Sequence, residues 1–324
     1  MTSETSSESL NKIPDPDMIR EAARRIYPYI HRTPVLTCSS LDELTKSKLF
    51  FKCENFQKVG AFKFRGASNA VLSTPQNIIE KGVATHSSGN HAQALALAAR
   101  LRGVKAYIVM PENAPTVKKQ AVAGYGAEII ECAPTLDSRE STLKHVVFET
   151  GAHFVHPYND YRIIAGQATC AMELLEKVND LEFIVAPVGG GGLLSGTALS
   201  ATWFAPGTSV FGAEPTGADD ACQSLHSGKI IPSVHPETVA DGLLTSLGEK
   251  TFPIIQQYVK DIYTVSDDEI IMAMRWIWER MNIIVEPSAA VPLAVVIKHQ
   301  KLFKGKRIGI ILSGGNVDLS KLPF

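Results

Sequence analysis

The sequence predicts an α/β protein built on open parallel β-sheets. Short β-branched runs alternate with stretches of helical periodicity along most of the chain. Successive strands are separated by helices long enough for the crossover that parallel pairing requires. At 324 residues the chain suits one large domain or two intimate ones.

The elements follow in order. Asp15 suits a helix N-cap and Pro16 the first helical turn, and Met18, Ile19, Ala22, Ala23 and Ile26 recur at helical spacing. Leu49–Cys53 predicts a strand and Phe64–Leu72 a helix. Val83–His86 is a strand and His91–Arg100 a helix; Lys105–Met110 is a strand and Thr116–Ala123 a helix. Ala127–Cys132 and Ser138–Glu149 repeat the pair. Phe183–Val188 is a strand running into four glycines and a helix from Leu193. Val210–Glu214 and Arg307–Leu312 are late strands. Residues 81–159 hold their own set of βα units, and His156-Pro157-Tyr158-Asn159-Asp160 reads as a connector leaving it. The expectation is a small domain, 81–159, inserted in a larger one of 1–80 and 160–324, with a cleft between.

Composition narrows the function classes. A formal net charge of −1 leaves no electrostatic footprint for nucleic acid or anionic lipid. No apolar run approaches the roughly 18 residues needed to span a bilayer. The first ten residues, Met1 to Leu10, have neither a basic start nor an apolar stretch, so they read as a short disordered tail and not as a secretory signal. Cys38, Cys53, Cys132, Cys170 and Cys222 are scattered, without CxxC spacing, which points away from a disulfide framework or a zinc site and toward the cytoplasm.

Four segments carry chemistry. Gly189, Gly190, Gly191 and Gly192 lie between a strand and a helix; without Cβ atoms, backbone N–H groups there can wrap an anion at a helix N-terminus, and phosphate is the natural guest. The run is neither GxGxxG nor GxxxxGK[ST], so neither a dinucleotide nor a nucleoside-triphosphate site is supported. In Gly60-Ala61-Phe62-Lys63-Phe64-Arg65-Gly66, Lys63 stands between two aromatics; an apolar setting favours the neutral, nucleophilic amine, although alone the pattern also suits a solvated surface lysine. Ser87-Ser88-Gly89-Asn90-His91 offers hydroxyls and amides for a carboxylate, or a helix N-cap. Ser313-Gly314-Gly315-Asn316 follows a strand, where a plain turn is the alternative.

Taken together, in order and spacing, the four segments resemble the fold-type-II pyridoxal-phosphate enzymes, built like tryptophan synthase β, with the active site in the cleft between two open parallel-sheet α/β domains. Within them the chain closely resembles the serine racemase and serine/threonine dehydratase family, from about Met18 to Asp318. The resemblance implies that Lys63 forms the Schiff base with pyridoxal 5'-phosphate, flanked by Phe62. Gly189–Gly192 hold its phosphate, Asn90 meets its phenolic oxygen, Ser313 faces its pyridine nitrogen and Glu286 lies near the ring. A serine hydroxyl cannot stabilise a pyridinium as a carboxylate does, so the ring is a weaker electron sink.

The resemblance also bears on the reaction. Racemisation needs an acid/base group on each face of the substrate Cα: Lys63 serves one face and Ser88 the other. Ser87, Ser88, Asn90 and His91 surround the substrate carboxylate. Arg139 matches a substrate-side arginine, or is a surface arginine on a helix, and Gly242 lines the cleft. Acidic turns are commonly just solvated, but Glu214, the Ala218 carbonyl and Asp220 match a divalent-cation site for Mg2+, Ca2+ or Mn2+. The implied activity is a serine racemase with β-elimination of serine, or a dedicated dehydratase of L-serine, L-threonine or threo-3-hydroxyaspartate, working as a homodimer. Two departures stand out. Asn282 follows Glu279-Arg280-Met281 where animal racemases carry lysine in a nucleotide pocket, which removes a positive charge that would pair with the phosphates of an activating ATP, although Gln93 and Asn316 of that pocket are present. Ala168 stands where glycine is usual.

Overall fold

The computed structural model describes residues 12–114 and 116–324; the terminal stretch expected to be a tail lies outside the described residues. Its strands are β1 (Val35–Leu36), β2 (Lys48–Cys53), β3 (Val83–His86), β4 (Ala106–Pro111), β5 (Glu128–Cys132), β6 (His153–Phe154), β7 (Phe183–Pro187), β8 (Ser209–Pro215), β9 (Asp261–Val265) and β10 (Arg307–Leu312). Its longer helices are α1 (Pro16–Ile26), α2 (Lys63–Ser73), α3 (Asn90–Arg102), α4 (Thr116–Gly124), α5 (Leu136–Thr150), α6 (Tyr161–Lys177), α7 (Gly192–Phe204), α8 (Asp220–Ser227), α9 (Phe252–Tyr258), α10 (Asp267–Met281) and α11 (Pro287–Lys298).

Two sheets result. The larger has the order β1-β2-β10-β7-β8-β9 and the smaller β5-β4-β3-β6. All pairings are parallel except β1 with β2 at one edge of the larger sheet. Strands β7, β8 and β10 are apolar almost throughout because helices cover both faces. On one side β10 and β8 pack against α11 and α10, through Ile308, Ile310, Phe211 and Met274. On the other, Ile184, Ala186 and Ile311 meet Leu174 of α6 and Leu194 of α7. A separate core joins β3 and β4 to α3, and α2 packs into it through Phe64, Ala67, Ala70 and Val71.

Strands β3 and β10 span the expected residues. Helix α5 begins at Leu136, two residues early, because Thr135 Oγ1 accepts the Ser138 N–H and caps it there. Asp15 caps α1 as expected, accepting from Asp17 and Met18. Helices α6, α8, α9, α10 and α11 and strands β1, β6 and β9 were not read from the sequence. Helix α11 explains why: Pro-Ser-Ala-Ala-Val-Pro-Leu-Ala-Val-Val-Ile-Lys is apolar on every face and carries Pro292 inside, so it has no amphipathic period to detect. Ala168 of α6 lies against Gly196 of α7, where a Cβ on Gly196 would come within 2.6 Å of the Ala168 nitrogen; the glycine allowing these helices to meet is on α7.

Candidate active site

The loops expected to carry chemistry all leave the carboxyl ends of parallel strands, where ligands of open α/β sheets bind. Ser87–His91 follow β3, Gly189–Gly192 follow β7, Thr216–Asp220 follow β8 and Ser313–Asn316 follow β10. The lysine segment is clasped to the last of these. Ala61 and Gly314 form an isolated antiparallel bridge, Phe62 N–H donates to Ser313 O at 3.0 Å, and Gly315 N–H donates to Gly60 O at 2.9 Å.

Lys63 opens α2, and its Nζ donates to the Pro157 carbonyl at 3.1 Å and lies 5.2 Å from the Phe62 ring centroid. Burial pulls its pKa down to about 8, opposed by the Glu286 carboxylate. At neutral pH an appreciable fraction of the amine is therefore unprotonated, as a nucleophile or base requires.

Asn90, Glu286 and Asn316 form a closed network. Asn316 Nδ2 donates to Asn90 Oδ1 at 2.9 Å and to Val59 O at 2.7 Å. Asn90 Nδ2 donates to both Glu286 oxygens, at 2.9 and 3.2 Å, and Asn316 N–H donates to Glu286 Oε2 at 3.1 Å. The Val59 carbonyl can only accept, which fixes Asn316 Nδ2 as a donor and gives the Asn90 amide one orientation. Burial pushes Glu286 up to about 7, Asp241 adds to it, and the donors from Asn90 and Asn316 draw it back. Val59 holds its carbonyl in place with φ 57°, a left-handed conformation unusual for a β-branched residue.

The glycine run forms a cradle. Gly191 has φ +86°, and a Cβ there would sit 2.9 Å from Ile255, Leu247 and Thr251; a Cβ on Gly190 would enter the Tyr158 ring. Gly191 is the N-cap of α7 and no side chain caps that helix, so its first amides are left for a ligand. Thr251 Oγ1 donates to Gly190 O at 2.9 Å and fixes the loop. A cradle that any Cβ would fill, at an uncapped helix N-terminus and with the half-buried Lys63 amine nearby, fits the phosphate and aldehyde of pyridoxal phosphate.

Ser87 Oγ accepts the Gly89 N–H at 3.3 Å, and Ser88 is half-buried on the same loop. Helix α3 starts there without a side-chain cap, leaving first-turn amides for a carboxylate. The His91 imidazole turns away from that role: it is buried with Nε2 3.3 Å from Val155 O, and only its backbone remains toward the loop end of the helix. Gly242 N–H donates to Ser288 Oγ at 3.0 Å, and the Gly242 carbonyl faces Gly189. Ser313 is buried beside Phe62. Arg139 lies near His86, the last residue of β3, with its Nε buried and unpartnered. Gln93 is buried in α3, and Asn282 ends α10 at φ 56°, a left-handed position that asparagine tolerates.

The segment read as a connector is a wall of the site. Besides Pro157 O on Lys63, Tyr158 covers Gly190 and Gly192. His156 Nδ1 accepts the N–H groups of Tyr158 and Asn159, at 3.3 and 2.9 Å, which puts its proton on Nε2. Burial pushes this histidine down to about 4, helped by His86 and Lys63, and keeps it neutral. Lys118 of α4 reaches the loop before α9 in an ion pair with Asp241, at 2.7 Å.

The acidic turn after β8 stands apart from this group. Glu214 is fully buried and its oxygens accept the N–H groups of Ala221 and Cys222, at 2.9 and 2.8 Å. Both oxygens of Asp220 are buried without a hydrogen-bond partner beside a cavity of about 240 Å3 that Ala218 also lines. Burial pushes Glu214 up to about 9 and Asp220 up to about 6. Two desolvated carboxylates with unused lone pairs fit a hard divalent cation. No cluster of three or more His, Cys, Asp or Glu side chains able to hold a metal occurs among the described residues, so carbonyl oxygen and water would complete any shell. All five thiols are free. No described helix is long and apolar enough to cross a membrane.

The family model described as "Pyridoxal-phosphate dependent enzyme" matches residues 26–314. A "beta-hydroxyaspartate dehydratase" of Paracoccus denitrificans is 54% identical over 96% of this chain and 99% of its own. A "Serine racemase" of Dictyostelium discoideum is 51% identical over 94% of this chain and 95% of its own. Among solved structures, that of maize serine racemase superposes with a TM-score of 0.94 at 47% identity, covering 95% of each chain.

Proposed function

The chain belongs to the pyridoxal-phosphate-dependent enzyme family, and from that membership we propose that it interconverts L- and D-serine, with β-elimination of serine to pyruvate and ammonia as the second outcome of the same deprotonation. The observation that carries the reading is Lys63: a half-buried amine with its pKa lowered to about 8, beside the glycine cradle and the Asn90–Glu286–Asn316 network.

When bound, the cofactor supplies an aldehyde that captures amines and a ring that accepts the electron pair left at Cα. Gly189–Gly192 and the amides of α7 would hold its phosphate, Ser313 its pyridine nitrogen, and Asn90 its phenolic oxygen. The remaining work falls to the chain. Lys63, with its pKa lowered to about 8, exchanges its proton readily just above neutral pH and can take a proton from one face of Cα and return it. We assign the opposite face to the Ser88 hydroxyl. Ser87, Asn90 and the amides around Ser88 and His91 receive the substrate carboxylate, and Arg139 offers a cation on the substrate side. Gly242 leaves room beside Glu286. Tyr158 and Phe62 exclude water.

Glu214, Asp220 and the Ala218 carbonyl are proposed to hold Mg2+ or a similar cation, in a structural or activating role. The orphaned Asp220 carboxylate supports this. The reading includes a homodimer, cytoplasmic residence and a small unit at 81–159; the four-stranded sheet lies wholly within those residues. ATP is left out of it, since Asn282 has a helix-ending role and the Asn316 amide is engaged by Asn90 and Val59.

A dedicated hydroxyaspartate or serine dehydratase is the second reading, favoured by the 54% identical dehydratase. A paired product assay separates them: purified protein, cofactor, Mg2+ and L-serine, with D-serine counted by chiral chromatography and pyruvate by a coupled assay. Substantial D-serine is the expected result. Pyruvate alone would favour the dehydratase, and neither product would sink the serine assignment.

A further inference from the structure

Four charged side chains are buried together behind the lysine motif, outside the site described above. Arg65 and Glu54 are fully buried, Lys52 is 1% exposed and Glu173 8%. All five N–H donors of Arg65 have acceptors. Nε and Nη2 fork onto the Glu54 carboxylate at 2.7 and 2.9 Å, Nη1 and Nη2 fork onto Glu173 at 2.8 Å each, and Nη1 also reaches Thr169 Oγ1 at 3.1 Å. Lys52 Nζ donates to Glu173 at 2.6 Å and to Thr33 O at 2.8 Å. Two cations and two carboxylates cancel, and burial, which would raise Glu54, is overcome by Arg65.

The placement of this quartet matters more than its charge. Lys63 and Arg65 stand two residues apart, about 200° around the α2 axis, so they leave the helix on nearly opposite sides. Glu54 lies just after β2, and Glu173 and Thr169 lie on α6. Arg65 therefore ties the first turn of α2 to two separate elements. The same turn is clamped a second time: Gly66 N–H donates to Gln167 Oε1 at 3.1 Å, and a Cβ on Gly166 would come within 2.6 Å of Gly66 Cα. Two planar forks set an angle as well as a position, which a single point contact cannot do.

We propose that Arg65, gripped by Glu54 and Glu173, is a positioning residue for Lys63: it fixes the rotation and depth of the first turn of α2, so that the lysine amine is delivered to Pro157 O and the glycine cradle and not to solvent. The inference rests on the reading of Lys63 as the covalent lysine.

The test reads the amine itself. The full-length chain, freed of cofactor, is labelled with trace acetic anhydride across a pH series, and Lys63 acetylation is read by peptide mass spectrometry. In the parent protein the midpoint is expected at about 8. In Arg65→Lys, which keeps the charge but loses the forks, it is expected to rise by about one unit or more toward the ordinary lysine value as the amine meets water. Leu293→Ala, a buried truncation in α11, is the control for lost stability and should leave the midpoint alone. An unchanged midpoint in folded Arg65→Lys would overturn the proposal. If that variant does not fold, Glu173→Gln keeps the side chain's size but breaks one of the two forks, and the absence of any upward shift there overturns it equally. Borohydride reduction of the holoenzyme with peptide mapping tests the other premise: cofactor fixed on a lysine other than Lys63 would defeat the functional reading and leave the positioning result standing.

Discussion

Asn316 Nδ2 lies 2.9 Å from Asn90 Oδ1, and this contact turns the donor end of Asn90 toward the Glu286 carboxylate. One asparagine thus orients another across a sequence gap of 226 residues. Asn316→Ala should weaken cofactor binding by roughly 2- to 12-fold, the worth of one lost hydrogen bond. Equilibrium titration followed by absorbance measures it, and unchanged affinity would remove Asn316 from the account.

Gly190 faces Tyr158 so closely that no Cβ fits. Gly190→Ala should cost about 1–3 kcal/mol and impair phosphate binding. Tyr158→Ala in the same chain should recover part of the loss. Strict additivity in the double mutant, by thermal unfolding, would mean that the two do not share the space.

Ser88→Ala should abolish D-serine formation and spare pyruvate formation from L-serine, because only the second face of Cα loses its acid. Equal loss of both products would refute the two-base assignment.

A chelator should lower the melting temperature and Mg2+ restore it. At one hundred times its dissociation constant a cation stabilises by about 2.7 kcal/mol. Asp220→Asn should abolish the response to Mg2+; a full response in that variant would place the cation elsewhere.

Burial of Lys63 is expected to lower the stability of the cofactor-free chain. The lysine's folded pKa of about 8 lies below the ordinary 10.5, so the cost of burying it is absent above 10.5 and complete below 8. Lys63→Met should therefore stabilise the cofactor-free protein at pH 7 by up to about 3 kcal/mol. The gain should shrink as pH rises from 8 toward 10.5. Denaturant melts at several pH values would show it, and a destabilised variant at pH 7 would contradict it.

The four motifs were legible because each is local: a strand, a few small residues and a helix start can be read from adjacent letters. Pro157 O, Tyr158 and the working partners of Asn316 were not, because tertiary proximity makes their roles. Tyr158 was passed over inside a proline-containing connector, yet it roofs a loop more than thirty residues downstream. His91 shows the converse. It sits in the motif expected to meet substrate, but its imidazole packs against Val155. Strand β3 matched because its β-branched run is bounded sharply, whereas α11 was missed because a helix buried all round has no polar face to mark its period.

The bond from Asn316 to Val59 O joins residues 257 apart. At ribosomal speeds of about 5–20 residues per second, the lysine segment leaves the ribosome roughly 13–50 s before the asparagine that completes its surroundings. The newborn chain thus carries Lys63 for that interval without the loop that closes the site, so the amine keeps an ordinary lysine's character until Ser313–Asn316 fold against the lysine segment.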